Sequence, residues 1–177
     1  QAQAVGQRLF FENIIFDEVY SSTATRTSET AKTVCKKLNY SIDKIIYSDN
    51  NIYDINALSN LTNLNLLDLA ENQIEDVIAL KGLTNLKMLH LNYNTLKDIT
   101  ALKDLVNVHE LFLNHNQITD ITALQGLKNL QDLVLSQNPI SNLSSLTYLT
   151  NLNSLDLHDT SIKDINSLKS LKNLKWL

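Results

Sequence analysis

Arg26 and four histidines are the residues of this sequence best suited to chemistry on phosphate or metal. Arg26 lies in the stretch VYSSTATRTSETAKTV, residues 19–34, whose pattern predicts the end of a strand running into a helix. A guanidinium presents a planar fork of donors to phosphate oxygens, and a helix start favours the same ligand. The four histidines are His90, His109, His115 and His158. The segment before His90 therefore contains no histidine that could accept a phosphoryl group.

The histidines do not form a recognisable metal motif. A metal site needs ligands that converge with a carboxylate or a third histidine. His90 and His115 fall in neighbouring repeats of the pattern described below, without an obvious third ligand. Cys35 is the single cysteine, so neither an intrachain disulfide nor a cysteine-based metal cluster can form. We therefore expect no metal and no cofactor, and we interpret the histidines as polar contact residues that make binding sensitive to pH.

The charge and hydropathy of the chain argue against several classes of function. The 177 residues carry a formal net charge of −4, which gives no general attraction to nucleic acid or anionic membrane. No apolar run approaches the roughly 20 residues of a membrane-spanning helix. The sequence begins at QAQAVGQRLF without an initiator Met or a signal pattern, and it stops within a repeated pattern at LKNLKWL. We therefore expect it to be a piece of a longer protein.

A repeat of 22 residues organises most of the chain and determines where these side chains lie. It reads L-x-x-[LV]-x-x-L-x-L-x-x-[NT]-x-[IL]-x-[DN]-[VIL]-x-x-L. The repeats begin at Leu61, Leu83, Leu105, Leu127, Leu149 and Leu171. An earlier, weaker repeat fits at 39–60, so we predict six full repeats and a truncated seventh over 39–177.

Each repeated position has a physical role. Alternating leucines share one face of a short strand, and stacked repeats bury a continuous core that one repeat could not bury alone. The amide that follows each strand is predicted to satisfy the turning backbone as a ladder, at Asn50, Asn72, Asn94, Asn116 and Asn138. A carboxylate four residues later is predicted to cap a turn, at Asp54, Asp76, Asp98, Asp120 and Asp164. Thr160 and Asn142 interrupt the two series, so we expect lower local stability there.

The repeat length and its N-x-I-x-D-I-x-x-L half resemble those of bacterial internalins and of the leucine-rich regulatory subunit of protein phosphatase 1. The resemblance covers about three quarters of the chain. It implies an α/β leucine-rich repeat solenoid with a curved parallel β-sheet and short segments on the convex side. It also implies protein–protein recognition through the concave face.

The side chains between the repeated leucines are free to contact a partner on that face. Several are apolar where the repeat demands nothing, which favours a contact surface over ordinary strand propensity. The face also carries carboxylates, whereas most lysines of the repeats fall on turns or on the convex side. We predict a protein partner with basic and apolar groups, and no nucleic acid. The predicted partner-binding residues are Leu66, Asp68, Met88, His90, Tyr93, Glu110, Phe112, His115, Asp132, Val134, Asp156 and His158.

Residues 1–38 follow a different pattern, which predicts a helix–strand–helix segment that caps the first repeat. The stretch FDEVYSSTATRTSETAKTVCKKLNY resembles the middle of histidine phosphatases, the superfamily of phosphoglycerate mutases and phosphohistidine phosphatases. The matching residues are Ser21, Ser22, Arg26, Thr30 and Ala31. The resemblance implies that Arg26 is a vestigial phosphate-binding residue. The nucleophilic histidine of that family would lie upstream of this sequence, and repeats stand where its second histidine and acid would follow.

Three origins of this segment fit the pattern: a phosphatase remnant recruited as a cap, an enzyme whose other parts lie outside the sequence, or a fusion of two gene fragments. The sequence favours non-catalytic protein recognition. One alternative is a histidine phosphatase acting on a phosphoprotein or a small phosphate ester, with its catalytic histidine outside this chain. Another is a structural array without a dedicated partner. Cytoplasm is favoured over a secreted or surface location, because phosphatase-like segments are usually cytosolic.

Overall fold

Among the residues that the structure describes, seven short parallel strands form one sheet in chain order. The structure is a computed structural model and describes residues 19–20, 44–46 and 48–177, with only the backbone for 19–20 and 44–45. The strands are β1 (Val19–Tyr20), β2 (Lys44–Ile46), β3 (Leu66–Asp68), β4 (Met88–His90), β5 (Glu110–Phe112), β6 (Asp132–Val134) and β7 (Ser154–Asp156). Each strand pairs only with its sequence neighbours, which confirms the predicted solenoid with a curved parallel sheet.

The leucine at the centre of each strand from β3 to β7 forms the core under the sheet. Leu67 pairs in register with Leu89, and Leu89 with Leu111, so that residues one repeat apart lie side by side. All three side chains have 0% of their surface exposed. Burying one leucine stabilises a fold by about 1.5–3 kcal/mol, and here neighbouring repeats supply the burial.

Short 3-10 helices return the chain on the convex side. They span Asn56–Leu58, Ile78–Leu80, Thr100–Asp104, Thr122–Gly126, Ser144–Tyr148 and Asn166–Ser170. The aspartate series caps these turns as predicted: Oδ1 of Asp98, for example, accepts the N–H of Thr100 at 2.7 Å. Asn142 makes the equivalent bond to the N–H of Ser144 at 2.8 Å, so the replacement of Asp by Asn keeps this turn closed.

The predicted asparagine ladder lies behind the sheet. Asn116 is 8% exposed; its Oδ1 accepts the N–H of Leu96 at 2.9 Å, and its Nδ2 donates to backbone carbonyls of two repeats. Thr160 donates one bond to the carbonyl of Leu157 at 2.8 Å. The N–H of Ile140 bonds instead to the carbonyl of Asn138 within its own repeat. The ladder therefore ends at Thr160, as predicted.

A second asparagine series, which the sequence analysis overlooked, joins the repeats along another edge. Nδ2 of Asn107 donates to the carbonyl of Thr84 in the preceding repeat at 2.8 Å. The same bond recurs at Asn85, Asn129, Asn151 and Asn173. The sequence shows this series as an asparagine at the third position of every repeat from Leu61 onward.

The sheet extends beyond the six full repeats at both ends. β1 pairs parallel with β2, so two residues of the strand predicted within IIFDEVYSS join the sheet beside the first repeat. The helices predicted on either side lie outside the described residues, and the division at residues 38 and 39 stays a prediction. At the other end, Trp176 forms a parallel bridge with Ser154, which adds the truncated seventh repeat to the sheet.

Candidate functional site

Three rows of side chains cross the concave face between β3 and β7, each contributing one residue per repeat. The first row consists of Leu66, Met88, Glu110, Asp132 and Ser154, in strand register. The second row consists of Asp68, His90, Phe112, Val134 and Asp156, also in register. The turn row follows each strand by three residues and consists of Glu71, Tyr93, His115, Gln137 and Asp159. These rows bring most of the predicted binding residues onto one surface, and His158 lies beside its C-terminal end.

His90 forms the polar centre of the surface. Its Nε2 lies 2.6 Å from Oε1 of Glu110 on the next strand, and its Nδ1 lies 3.6 Å from Oδ2 of Asp68 on the preceding strand. All three side chains are half-buried. An imidazolium between two carboxylates is therefore favoured here, a pairing that the repeat pattern alone does not indicate.

The charges of this cluster shift its protonation equilibria. Burial alone lowers the pKa of His90, but the interactions with Asp68 and Glu110 outweigh it and raise the pKa above 6.5. Burial raises the pKa of Asp68, but His90 and a hydrogen bond from the N–H of Ala70 outweigh it and lower the pKa below 3.8. His90 and Asp68 therefore retain their paired charges over a wider pH range than isolated side chains would.

Two stacked pairs of rings lie on the same two repeats. The rings of His90 and Phe112 have centroids 4.5 Å apart and an interplanar angle of 7°. Those of Tyr93 and His115 have centroids 3.9 Å apart and an angle of 15°. His115 therefore stacks on Tyr93 of the preceding repeat. The two pairs form an aromatic patch, which consists of His90, Tyr93, Phe112 and His115.

The turn row has an unusual backbone that positions its side chains. All its members and Asp49 have φ between 54° and 56°, in the left-handed region that residues other than glycine rarely adopt. This conformation typically costs about 1–2 kcal/mol per residue. Tyr93 is 47% exposed, so the chain directs a large ring into solvent from a strained position. No pattern in the sequence identified this backbone, because glycine is absent from the series.

Two carboxylates, Asp156 and Asp159, lie at the β7 end of the surface. Asp156 Oδ1 lies 2.7 Å from His158 Nδ1, and its Oδ2 accepts the hydroxyl of Ser136 at 3.0 Å. Burial raises the pKa of Asp156, but the bonds from His158 and Ser136 outweigh it and lower the pKa. Gln137 donates to Asp159 at 3.0 Å. These bonds hold the carboxylates at the β7 end of the surface, next to the row neighbours Val134 and Gln137.

The apolar members of the surface are less exposed than the sequence suggested. Leu66, Met88, Phe112 and Val134 are half-buried, because neighbouring side chains of the same row cover part of each one. Met88 lies between Leu66 and Glu110 in the register of the first row. Leu66 and Met88 are register neighbours in the first row, and Phe112 and Val134 are register neighbours in the second, so apolar side chains occur on every strand from β3 to β6.

Three further sequence predictions concern metal binding, membrane-spanning helices and the phosphate-binding residue Arg26. No group of three or more metal-ligating side chains with suitable geometry is present in residues 48–177 or the shorter described stretches. No helix in the described part of the chain is long and apolar enough to cross a membrane. Arg26, with the other residues of the phosphatase resemblance, lies outside the described residues.

Comparisons with known proteins define the class. The family model for leucine-rich repeats in two copies matches residues 62–104, 84–126 and 106–148. The solved structure of internalin C2 from Listeria monocytogenes str. 4b F2365 is 34% identical, with a TM-score of 0.79 over 90% of this chain and 67% of that one. The chain therefore belongs to the leucine-rich-repeat family. Its repeats are similar to those of internalins in particular.

Two further solved structures match parts of longer proteins. An internalin (inlF) from the same Listeria strain is 35% identical, with a TM-score of 0.74 over 79% of this chain and 42% of that one. A leucine-rich-repeat protein of Leptospira interrogans is 29% identical, with a TM-score of 0.74 over 81% of this chain and 38% of that one. None of the curated proteins compared with the chain matches it.

These similarities give the phosphatase resemblance no support. The family model and the three structures are all leucine-rich-repeat proteins. A leucine-rich-repeat fold is typical of protein–protein interaction, which agrees with the general function that the sequence predicted.

Proposed function

We propose that the chain is a non-catalytic recognition module that binds a protein through its concave face. The observation that carries the proposal is the aromatic patch, in which two stacked ring pairs, His90 with Phe112 and Tyr93 with His115, lie together on two adjacent repeats. Aromatic residues and methionine are enriched in the cores of protein interfaces.

The charge of the surface favours a partner with basic and apolar groups. The three rows from β3 to β7 contain six carboxylates and no lysine or arginine; the carboxylates are Asp68, Glu71, Glu110, Asp132, Asp156 and Asp159. Such a surface repels the phosphates of nucleic acid and attracts cationic side chains of a protein. Lys87, immediately before β4, is the nearest lysine in sequence to the aromatic patch, and its side chain is exposed.

The binding energy is expected to concentrate at the centre of the surface. Hot spots of interfaces are central, well-packed side chains surrounded by contacts that exclude water. Phe112, Met88 and His90 fulfil this description, because they lie in the middle strands and are already half-buried. Asp132, Val134, Asp156 and His158 would form the outer contacts on one side, with Leu66 and Asp68 on the other.

A selection experiment tests the proposal. Ligands are selected from a combinatorial peptide display library against the chain and are then titrated by calorimetry against purified variants. We expect Phe112→Ala to weaken binding about tenfold or more, the loss of a hot spot of at least about 1.4 kcal/mol. Tyr148→Ala is the matched control, because Tyr148 is an aromatic residue 54% exposed on a convex 3-10 helix. Weakening by Tyr148→Ala but not by Phe112→Ala would refute the assignment of the concave face.

A further inference from the structure

We propose that the concave face binds an extended protein segment that carries two basic side chains six residues apart on either side of two apolar ones. This inference rests on the proposed function and names the chemistry of the partner. Its basis is the order of side chains along two of the rows, which both begin and end with a carboxylate.

The second row and the turn row share one pattern. The second row runs from Asp68 on β3 to Asp156 on β7, and the three residues between are a histidine, a phenylalanine and a valine. The turn row runs from Glu71 to Asp159, and the residues between are a tyrosine, a histidine and a glutamine. The aromatic patch on β4 and β5 therefore lies between a pair of carboxylates at the β3 end and a pair at the β7 end, with Val134 and Gln137 separating it from the second pair.

The distance between the two pairs determines the spacing of the partner's charges. Parallel strands lie about 4.8 Å apart, so the four intervals from β3 to β7 span about 19 Å. An extended chain rises about 3.3 Å per residue and directs alternate side chains to one face. Residues i, i+2, i+4 and i+6 of such a segment therefore face the surface together, with i and i+6 about 20 Å apart. The cations occupy the outer two positions and the apolar side chains the inner two.

The carboxylates differ in how free they are to accept a partner's cation. Asp68 is already paired with His90, and Asp156 with His158, so these two pre-orient the ends of the surface. Glu71 is exposed and makes no side-chain bond to the described residues, and exposed Asp159 accepts only from neutral Gln137. Each exposed pair would contribute only about 0.2–1 kcal/mol, so the basic groups select the register of the partner while the apolar centre supplies most of the affinity.

Synthetic peptides test the spacing directly. The parent peptide SRSFSLSRS has arginines at i and i+6 around a phenylalanine and a leucine, and SRSFSLRSS has the second arginine moved to the opposite face. By calorimetry at low salt we expect the parent to bind with a dissociation constant below about 1 mM and the shifted peptide about threefold more weakly. A peptide with both arginines replaced by glutamate should show no saturable binding.

Charge reversal on the protein locates the two ends. Asp159→Lys and Glu71→Lys should each weaken binding of the parent about threefold, whereas Glu75→Lys, at an exposed position on the convex side of the same repeat as Glu71, should not. One of the two peptides with a single arginine changed to glutamate should bind Asp159→Lys more tightly than it binds the unmodified protein. This exchange would assign the direction of the bound segment, and its absence for both peptides would contradict the inference.

Several results would overturn the proposed partner chemistry. Equal affinity for the parent and shifted peptides, no saturable binding of the parent below about 1 mM, or preference for helical peptides with arginines about 12 residues apart would overturn the inference. If display-selected ligands still depend on Phe112 in any of these cases, the concave recognition function stands and only the chemistry of the segment is wrong. If Phe112→Ala affects neither kind of ligand, the recognition function itself fails.

Discussion

Replacing Asn116 by alanine tests whether the buried asparagine ladder holds the repeats together. Asn116 accepts the N–H of Leu96 from the preceding repeat and donates to the carbonyls of Leu91 and Leu113. The carbonyl of Leu91 also accepts from Asn94, so it retains a partner in the variant. The carbonyl of Leu113 likewise keeps its bond from the next asparagine of the ladder. The N–H of Leu96 loses the one acceptor it has, and this loss dominates the effect.

The expected loss in the free energy of unfolding follows from these lost hydrogen bonds. A buried donor left without a partner costs about 1–3 kcal/mol, and each lost hydrogen bond costs about 0.5–1.5 kcal/mol. We therefore expect Asn116→Ala to lower the free energy of unfolding by about 2–4 kcal/mol. Asn107→Ala is the matched control, because it removes the same amide from the exposed series, where a single bond to Thr84 is lost. Its expected cost is about 0.5–1 kcal/mol.

Urea unfolding followed by far-ultraviolet circular dichroism measures both values, provided that the slope with urea concentration is unchanged between variants. Asn116→Thr should be intermediate, since Thr160 naturally occupies this position and its hydroxyl keeps one bond to a carbonyl. If Asn116→Ala costs no more than Asn107→Ala, burial of the ladder does not determine its contribution and the reasoning is wrong.

Three other experiments test separate parts of the molecule. Because the pKa of His90 is raised above 6.5 in the folded state, its stabilising effect is present at lower pH and is lost as pH rises through the folded value. The free energy of unfolding should therefore fall as pH rises above about 6.5, and urea titrations of His90→Gln should lack this fall; an identical slope in the variant would contradict the ion-pair cluster. Leu111→Ala, at a side chain 0% exposed, should cost about 2–5 kcal/mol in the same assay, whereas Val106→Ala, 45% exposed, should cost under about 1 kcal/mol; similar losses would argue against the core. Glu71 has φ 56°, so Glu71→Val should be less stable than Glu71→Gly by about 1–2 kcal/mol, and the reverse order would exclude a left-handed backbone there.

Neighbour relations on the concave face could be predicted because the repeat has a constant length. Residues 22 apart occupy equivalent positions, so Met88 beside Leu66 and Phe112 beside His90 follow from the spacing once the strands are known to be parallel. The same logic places an asparagine of each repeat beside its counterpart in the next. The overlooked exposed series at Asn107 could have been found in the same way, since it recurs with the same period.

Side-chain orientation could not be predicted from that spacing. The sequence placed His90 and His115 in adjacent repeats, but rotamers set by local packing direct the first onto Phe112 and the second onto Tyr93. The exposure of the apolar residues was also overestimated, because coverage by neighbours within a row depends on how closely the strands approach. The left-handed turn at Tyr93 had no signal at all, since its strain is offset by the surrounding fold and not by glycine.

The sequence by itself determined the repeat, its parallel sheet, the leucines of the core and the polar residues that close each turn, because all of these depend on a period that every repeat restates. Only the tertiary structure decided that His90 lies between Asp68 and Glu110, and that two ring pairs form one patch. These contacts join residues of different repeats through distances of a few ångströms. A one-dimensional pattern specifies which residues are neighbours, whereas packing in three dimensions specifies which of their atoms meet.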